Sequence, residues 1–331
     1  MYIKEHLHKR NLLFLACCVA AYFMFYKPLV ELTRFSIHSM YYSHIWLIPL
    51  VSAFFMVTER KKIFQNVEYS YRSGAPLLIV GIIVYIGSRN LQAKLSLNDY
   101  SALTTFSALI FIHGFFLLFY GVQALKTAIF PLLFLIFMVP IPAFLMDKTI
   151  HLLLIGSTAV TELLFKITGV PYIRESATFD LPGISIVVAK KCSGIRSSFA
   201  LVITMVIAAH LFLNTTWKKV ILLLMVYPVT VFKNGVRIVT ISLLATYVDE
   251  RFLTHSWLHQ SGGFVFFIPS LAFLGLILWL LRRSEKRKAE GPKAEGSGPG
   301  QISLSDGRWE DGDNPKNRGV RSSFLTDCKN W

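Results

Sequence analysis

The chain has 331 residues, of which 54% are hydrophobic, and it carries 27 Phe and a formal net charge of +15. Its mean hydropathy is +0.53. These values exceed what one soluble core of this length needs to bury, so they exclude a soluble globular protein. They predict an all-α fold, namely a polytopic α-helical membrane protein.

Apolar segments recur from near the N-terminus to Leu281, and most are close to the roughly 20 helical residues that a bilayer crossing requires. We predict about eight transmembrane helices, at residues 11–26, 41–58, 75–88, 102–122, 128–146, 196–213, 219–248 and 262–281. Residues 1–281 are therefore predicted to form one polytopic domain, with a motif-bearing core at 170–281.

The basic residues predict the orientation, because short cytoplasmic loops are enriched in Lys and Arg. They precede the first predicted span and follow the second, fourth, sixth and eighth. They are Lys4, Lys9, Arg10, Arg60, Lys61, Lys62, Lys126, Lys218, Lys219, Arg282, Arg283, Lys286, Arg287 and Lys288. An even number of crossings separates each group from the next, so both termini are predicted to be cytoplasmic.

This count requires the moderately apolar stretch 151–168 not to cross the membrane. Glu162 and Lys166 lie there at i, i+4 helical spacing, a pair suited to an interface rather than to hydrocarbon. We therefore expect an interfacial or re-entrant helix. If it does cross, the loop that follows it moves to the cytoplasm.

The net charge, the C-terminal tail and the cysteines do not indicate a soluble binding partner or a cofactor. The positive charge is explained by cytoplasmic loops and by contact with anionic membrane lipids, and no aromatic-interleaved basic groove indicates nucleic acid. Residues 282–331 are rich in Gly, Pro, Ser and charged residues and are predicted to form a disordered cytoplasmic tail. Cys17, Cys18 and Cys328 fit neither a disulfide framework nor a zinc site, so neither a metal nor another cofactor is predicted.

The triplet Cys192-Ser193-Gly194 lies where a strand-like run, 184–189, ends just before an apolar helix. A thiol at a helix N-terminus experiences unpaired N–H groups and the positive end of the helix dipole, both of which favour the thiolate. Lys190, Lys191 and Arg196 add positive charge. The alternative is that Cys192 is an inert, buried hydrophobic side chain.

Arg237 lies within a predicted span, where an unsolvated charge is costly. Counting 1.5 Å per residue from Lys219 places it roughly 27 Å across, near the far boundary. It could snorkel there as an anchor. Asn234, three residues earlier on the same helical face, favours a polar site instead.

His259 directly precedes the last predicted span. It is either an ordinary surface histidine or a functional one, and His255 competes for the same role. The convergence of Cys192, Arg237 and His259 on one membrane face favours function, because a nucleophile, a base and a fixed positive donor are what acyl transfer requires.

Together these motifs resemble the exosortase and archaeosortase family of polytopic membrane transpeptidases. They are Cys192 to Ile195 after a strand, Asn234 to Arg237 in the next helix, and His259 four residues before Gly263-Phe264. The resemblance covers about residues 75–281. The family often has Trp where this chain has Phe264, and some members carry a C-terminal domain that the tail cannot supply.

The resemblance implies a cysteine protease that cleaves the C-terminal sorting signal of secreted proteins, a short motif followed by one transmembrane helix and a basic cluster. Cys192 would form a thioester, His259 would move protons, and Arg237 would stabilise the oxyanion. Supporting positions are Ser193, Gly194, Arg196, Asn234 and Gly263. The acceptor would be a cell-surface lipid or glycan, and the site would face outward from a prokaryotic plasma membrane.

Two other functions use the same topology. A transporter could bind an anion with Arg237 and Asn234, although no internal repeat typical of transporters is evident. A non-catalytic component of a polysaccharide-export complex would need no reactive thiol.

Overall fold

A computed structural model describes residues 2–38, 41–190, 193–249, 251–254 and 257–289, without the side chains of 2–8, 35, 38, 253–254, 257–264 and 288–289. The helices are α1 (Tyr2–Met24), α2 (Tyr26–His38), α3 (Leu47–Thr58), α4 (Arg60–Ile63), α5 (Tyr71–Leu91), α6 (Leu97–Thr127), α7 (Ile129–Phe134, then a 3₁₀ turn Leu135–Met138), α8 (Ala143–Thr168), α9 (Ile195–Phe212), α10 (Thr216–Tyr247), α11 (Arg251–Thr254) and α12 (Trp257–Ala289). Strands β1 (Ile173–Glu175), β2 (Thr178–Leu181) and β3 (Ile184–Val187) form one antiparallel sheet.

Six of these helices are long and apolar enough to cross a membrane: α5, α6, α8, α9, α10 and the part of α12 at Val265–Arg287. A seventh candidate is the pair formed by α1 and α2, which bends by 68°. Helix α3 and segment 129–138 are apolar but shorter. The predicted class, a multi-pass all-α membrane protein with a short strand-containing loop, is confirmed, with six or seven span-length candidates instead of eight.

The predicted boundary between the fifth span and the stretch after it is wrong. Helix α7 and its 3₁₀ turn end at Met138, and α8 begins at Ala143, so the predicted span 128–146 is divided between two elements. Pro140 and Pro142 lie between them; each lacks an N–H and disfavours the helical conformation of the residue before it, and two within three residues end the helix here. The stretch 151–168 is the larger part of the 26-residue helix α8.

The contacts separate two ends of the helical bundle. At one, which we call the basic end, Tyr120 donates to Asn11, and His210 pairs with Glu59 at 3.4 Å. At the same end the N–H groups of Asn214 and Thr215 donate to the Glu285 carboxylate at 3.1 and 2.9 Å. These contacts bring the predicted cytoplasmic basic groups close to one another.

The opposite end, which we call the glycine end, contains Gly194. There Tyr42 and Asn98 both donate to the Ile141 carbonyl, at 3.2 and 2.7 Å. The Ala143 N–H donates to Asp99 at 2.7 Å, and Asp147 pairs with Lys190 at 3.2 Å.

Helix α8 packs along α10, where a Cβ at Gly156 would lie 2.9 Å from Val231. Its start is held by the Asp99 and Lys190 contacts, and near its end Phe165 packs in one cluster with Phe179 of β2 and Ile238 of α10. Glu162 pairs with Lys166 at 2.8 Å, as their spacing predicts, and also with Arg174 of β1. Helix α8 is thus held against β1, β2 and α10, and it has the length of a span.

Helix α12 extends beyond the predicted limit of 281 to Ala289. The added turns are held at the basic end, where Lys218 Nζ donates to the Leu281 carbonyl and to Ser284 at 3.1 and 2.6 Å. The predicted disorder of 290–331 lies outside the described residues.

Small side chains allow α5 and α6 to approach closely. The buried residues of α5 are Gly74, Gly81 and Ser88, seven positions apart, all facing α6. A Cβ at Gly74 would lie 2.7 Å from Leu118 Cα, and one at Gly81 would lie 2.7 Å from the Phe111 ring. In lipid, such stripes let helices pack by direct van der Waals contact.

We therefore expect Gly74→Ala to lower the free energy of unfolding by about 1–3 kcal/mol, because the new methyl group meets backbone atoms of α6. Gly87→Ala is the matched control, since nothing lies within 4 Å of a Cβ at that position on the same helix. Its better helix propensity should leave stability equal or higher. Thermal unfolding in detergent measures both, and equal shifts for the two variants would contradict the packing argument.

Candidate active site

The turn before α9 is the centre of the candidate site. After β3, the Ser193 N–H donates to the Lys190 carbonyl at 3.2 Å, and Gly194 adopts a left-handed conformation with φ +73° at the N-cap of α9. Ser193 and Ile195 are buried. The strand-to-helix junction predicted from the sequence is confirmed. Lys191 and Cys192 lie outside the described residues, although the residues on both sides of them are placed.

The Gly194 carbonyl anchors the first turn of α9. It accepts hydrogen bonds from Ser197 Oγ at 2.8 Å, from Ser198 Oγ at 2.9 Å and from the Ser198 N–H at 3.0 Å. Two hydroxyls and one amide thus fix the orientation of this peptide group. The α9 N–H groups that remain unpaired point towards the preceding turn and give it a positive potential.

Asn234 lies directly against this turn. A Cβ at Gly194 would lie 3.1 Å from Asn234 Oδ1, so only glycine fits without displacement. The Asn234 side chain is 1% exposed, and its Nδ2 donates to Ser157 Oγ of α8 at 3.0 Å. The motif after Cys192 and the motif at 234–237 are therefore in contact, as their convergence in the sequence predicts.

Close packing of α10 on α8 positions the second motif. A Cβ at Gly235 would lie 2.5 Å from Val160 Cγ1 and 3.3 Å from the Thr161 N atom, so these two helices nearly touch. Arg237 follows on α10 and is half-buried. It lies one turn beyond Lys233 on the same helical face.

The other predicted residues are placed in part. Arg196 is exposed, and Lys190 forms a surface pair with Asp147. His259 and Gly263 belong to the first turns of α12, and their side-chain surroundings lie outside the described residues. Further along α12, Val265 and Phe266 line a cavity together with Lys233 and Val236 of α10, so the start of α12 lies near the second motif.

Sequence reasoning missed Lys233 and Ser197. Lys233 is 6% exposed, and its Nζ donates to Ser197 Oγ. It also lines the apolar cavity of about 790 Å³ between α10 and α12. The sequence could have identified Lys233, because it is a second basic residue inside an apolar span, four positions before Arg237. Within the described ranges, no three His, Cys, Asp or Glu residues are grouped as metal ligands.

Comparison with known protein families identifies the chain. A family model described as transmembrane exosortase matches residues 36–289, which include all three motifs. The chain belongs to the exosortase family. No curated protein and no solved structure matches it. Membership of the exosortase family supports a membrane-embedded sorting transpeptidase, whose substrates are membrane-associated proteins with sorting signals.

The contact between Gly194 and Asn234 can be tested with two alanine variants. Gly183 has φ +85° and open space around it, whereas Gly194 has φ +73° and meets Asn234. Both variants should lose about 1–2 kcal/mol from the left-handed conformation, and Gly194→Ala should lose roughly 1 kcal/mol more through overpacking. Thermal unfolding of the purified variants gives this difference; if Gly183→Ala is equally or more destabilising, Asn234 does not constrain the turn.

Proposed function

We propose that this exosortase is a cysteine transpeptidase that cleaves the C-terminal sorting signal of secreted proteins, with Cys192 as its nucleophile. The observation that carries the proposal is the contact of Gly194 with Asn234, which joins the turn after Cys192 to the helix that bears Arg237. A nucleophile segment anchored against a basic helix is the arrangement that acyl transfer needs.

The proposed reaction begins with attack of the Cys192 thiolate on the scissile carbonyl. The C–S bond forms, and the C–N bond breaks once the tetrahedral intermediate collapses. His259 accepts the thiol proton before the attack and returns it to the leaving amine. The products of this step are the thioester and the released C-terminal helix of the substrate. A lipid or glycan nucleophile on the cell surface then attacks the thioester and regenerates the thiol.

Positive charge around the turn supports this chemistry. The N-terminus of α9 and the Arg237 side chain both contribute to the potential near the nucleophile segment. Each favours a thiolate before the reaction and an oxyanion during it. We assign Arg237 to the oxyanion, because a fixed guanidinium keeps its charge throughout the reaction.

The distribution of charge supports an extracytoplasmic site. Arg60, Lys126, Lys219 and Arg282 lie at the basic end or next to residues that do, and Lys and Arg are enriched on the cytoplasmic side of membranes. We therefore propose that the basic end faces the cytoplasm and the glycine end faces outward. A substrate halted in the bilayer by its C-terminal helix would present its cleavage motif at the glycine end.

In the native host, we expect Cys192→Ala to leave substrate proteins uncleaved and retained in the membrane, because no nucleophile remains. The measurement is the size and fractionation of C-terminally tagged secreted proteins. Cys17→Ala is the matched control: Cys17 is half-buried in α1 and packs near Ile63 at the basic end, so it should not alter processing. Normal cleavage by Cys192→Ala, present at wild-type levels, would reject the enzyme and favour transport or assembly.

Sidedness is tested separately by thiol labelling. In a variant that retains Cys192 but lacks Cys17, Cys18 and Cys328, a membrane-impermeant maleimide should label intact cells or spheroplasts, because the glycine end faces outward. Lys61→Cys, placed in the same background without Cys192, reports on the basic end and should react only after permeabilisation. The reverse pattern would invert the proposed topology without affecting the assignment of the nucleophile.

A further inference from the structure

Lys233 is a charged residue in the interior that the proposed reaction does not use. It lies in the apolar helix α10, is 6% exposed and lines an apolar cavity whose wall also includes Pro228, Phe232 and Pro269. Within the described parts of the chain, its hydrogen-bond partner is the Ser197 hydroxyl, and no carboxylate forms a salt bridge with it. A buried ammonium without a carboxylate partner is costly, so its presence calls for a specific role.

A chain of hydrogen bonds leads from Lys233 to the turn after Cys192. The Lys233 ammonium donates to Ser197 Oγ, and the Ser197 hydroxyl donates in turn to the Gly194 carbonyl at 2.8 Å. Both bonds are compatible, because a hydroxyl donates one hydrogen bond and accepts others. The ammonium polarises the hydroxyl and strengthens its bond to Gly194.

Asn234, the next residue of α10, contacts the same turn from another direction. Lys233 therefore acts on the Gly194 carbonyl through Ser197, while Asn234 packs against the Gly194 Cα. Two consecutive residues of one helix thus hold both sides of a glycine in the left-handed conformation. This arrangement fixes the path of the chain from Gly194 into α9.

We propose that Lys233 is a positioning residue that holds the Ser193–Gly194 turn, which directly follows Cys192 in the sequence, through Ser197 and supplies a second positive charge near that turn. The inference rests on the proposed role of Cys192 as the nucleophile. In this role Lys233 acts through Ser197 and not directly on the substrate or the reacting atoms. Its contribution is to orient the turn and to favour the thiolate.

The charged and polar groups around Lys233 agree with a positive local field. On its own helix, Arg237 lies one turn away; from α9, Ser197 is its hydrogen-bond partner. From α12, Ser270 lines the same cavity, and its hydroxyl donates to the Phe266 carbonyl at 2.9 Å. None of these described groups carries negative charge.

The test compares Lys233→Met, which keeps the approximate length without charge or donor, with Lys233→Arg, which keeps both. We expect Lys233→Met to slow processing of a tagged substrate about tenfold, equivalent to about 1.4 kcal/mol of transition-state stabilisation, and Lys233→Arg to recover most of the rate. The midpoint of iodoacetamide labelling of Cys192 against pH should rise by about 1 unit in Lys233→Met, because the thiolate loses a nearby cation.

Lys218→Met is the matched control for burial. Lys218 lies on the same helix, is 2% exposed and also donates to a serine hydroxyl, Ser284, but at the basic end. Its removal should lower thermal stability and leave the Cys192 labelling midpoint unchanged. If Lys218→Met and Lys233→Met shift the midpoint equally, the effect is general and the proposal is overturned.

Ser197→Ala tests the hydrogen-bond chain from Lys233 to Gly194, even if the Lys233→Met protein is not produced in a stable form. It removes the acceptor of Lys233 and one donor to Gly194, so processing should fall at least about threefold. Thr204→Ala is its control, because Thr204 donates only within α9, to the Ala200 carbonyl. Unchanged processing in Ser197→Ala, or in a well-folded Lys233→Met, overturns the proposal.

These outcomes are distinct from failure of the proposed function. If Cys192→Ala still processes substrate, Cys192 is not the nucleophile and the proposed enzyme is rejected, whatever the Lys233 variants do. If Cys192→Ala is inactive while Lys233→Met and Ser197→Ala behave like wild type, the nucleophile stands and only the positioning role fails.

Discussion

The close approach of Gly194 to Asn234 is the contact on which the candidate site depends. The position requires glycine twice, because φ is +73° and a Cβ would meet Asn234, and the contact joins α9 to α10 at that point. Asn234 is in turn fixed by Ser157, so α8 is tied to the same junction. Since close-packed interiors transmit small displacements, a change at any of these three residues should move the chain beside Cys192.

The layer formed by α8 and the sheet explains why this junction is rigid. Phe179 and Ile186 are opposite one another in β2 and β3, and both pack in a cluster with Phe165 of α8 and Ile238 of α10. The sheet therefore delivers the chain to the start of α9 from a fixed direction. Polar groups are then concentrated in the turn itself, where Ser197 and Ser198 saturate one carbonyl.

Basic side chains on α10 lie at both ends of the bundle, and their surroundings differ. At the basic end, Lys218 and Glu285 fasten α12 to the connection between α9 and α10. At the other end, Lys233 donates to Ser197 in the first turn of α9, and Arg237 follows one turn later on α10. Two buried lysines on one helix thus have different surroundings, and only one of them lies near the nucleophile segment.

The sequence alone determined the class of protein and its family, because hydropathy and charge bias are local properties and the three motifs are short. It also identified the strand-to-helix junction at Cys192, whereas the contact of Asn234 with Gly194 came only from the tertiary structure. The tertiary structure decided what depends on long-range packing. Helix α8 begins at Ala143, after Pro140 and Pro142, and packs along α10, and Lys233 reaches Ser197 across 36 positions of sequence. Such contacts depend on how helices pack against one another, which the periodicity of a single helix does not encode.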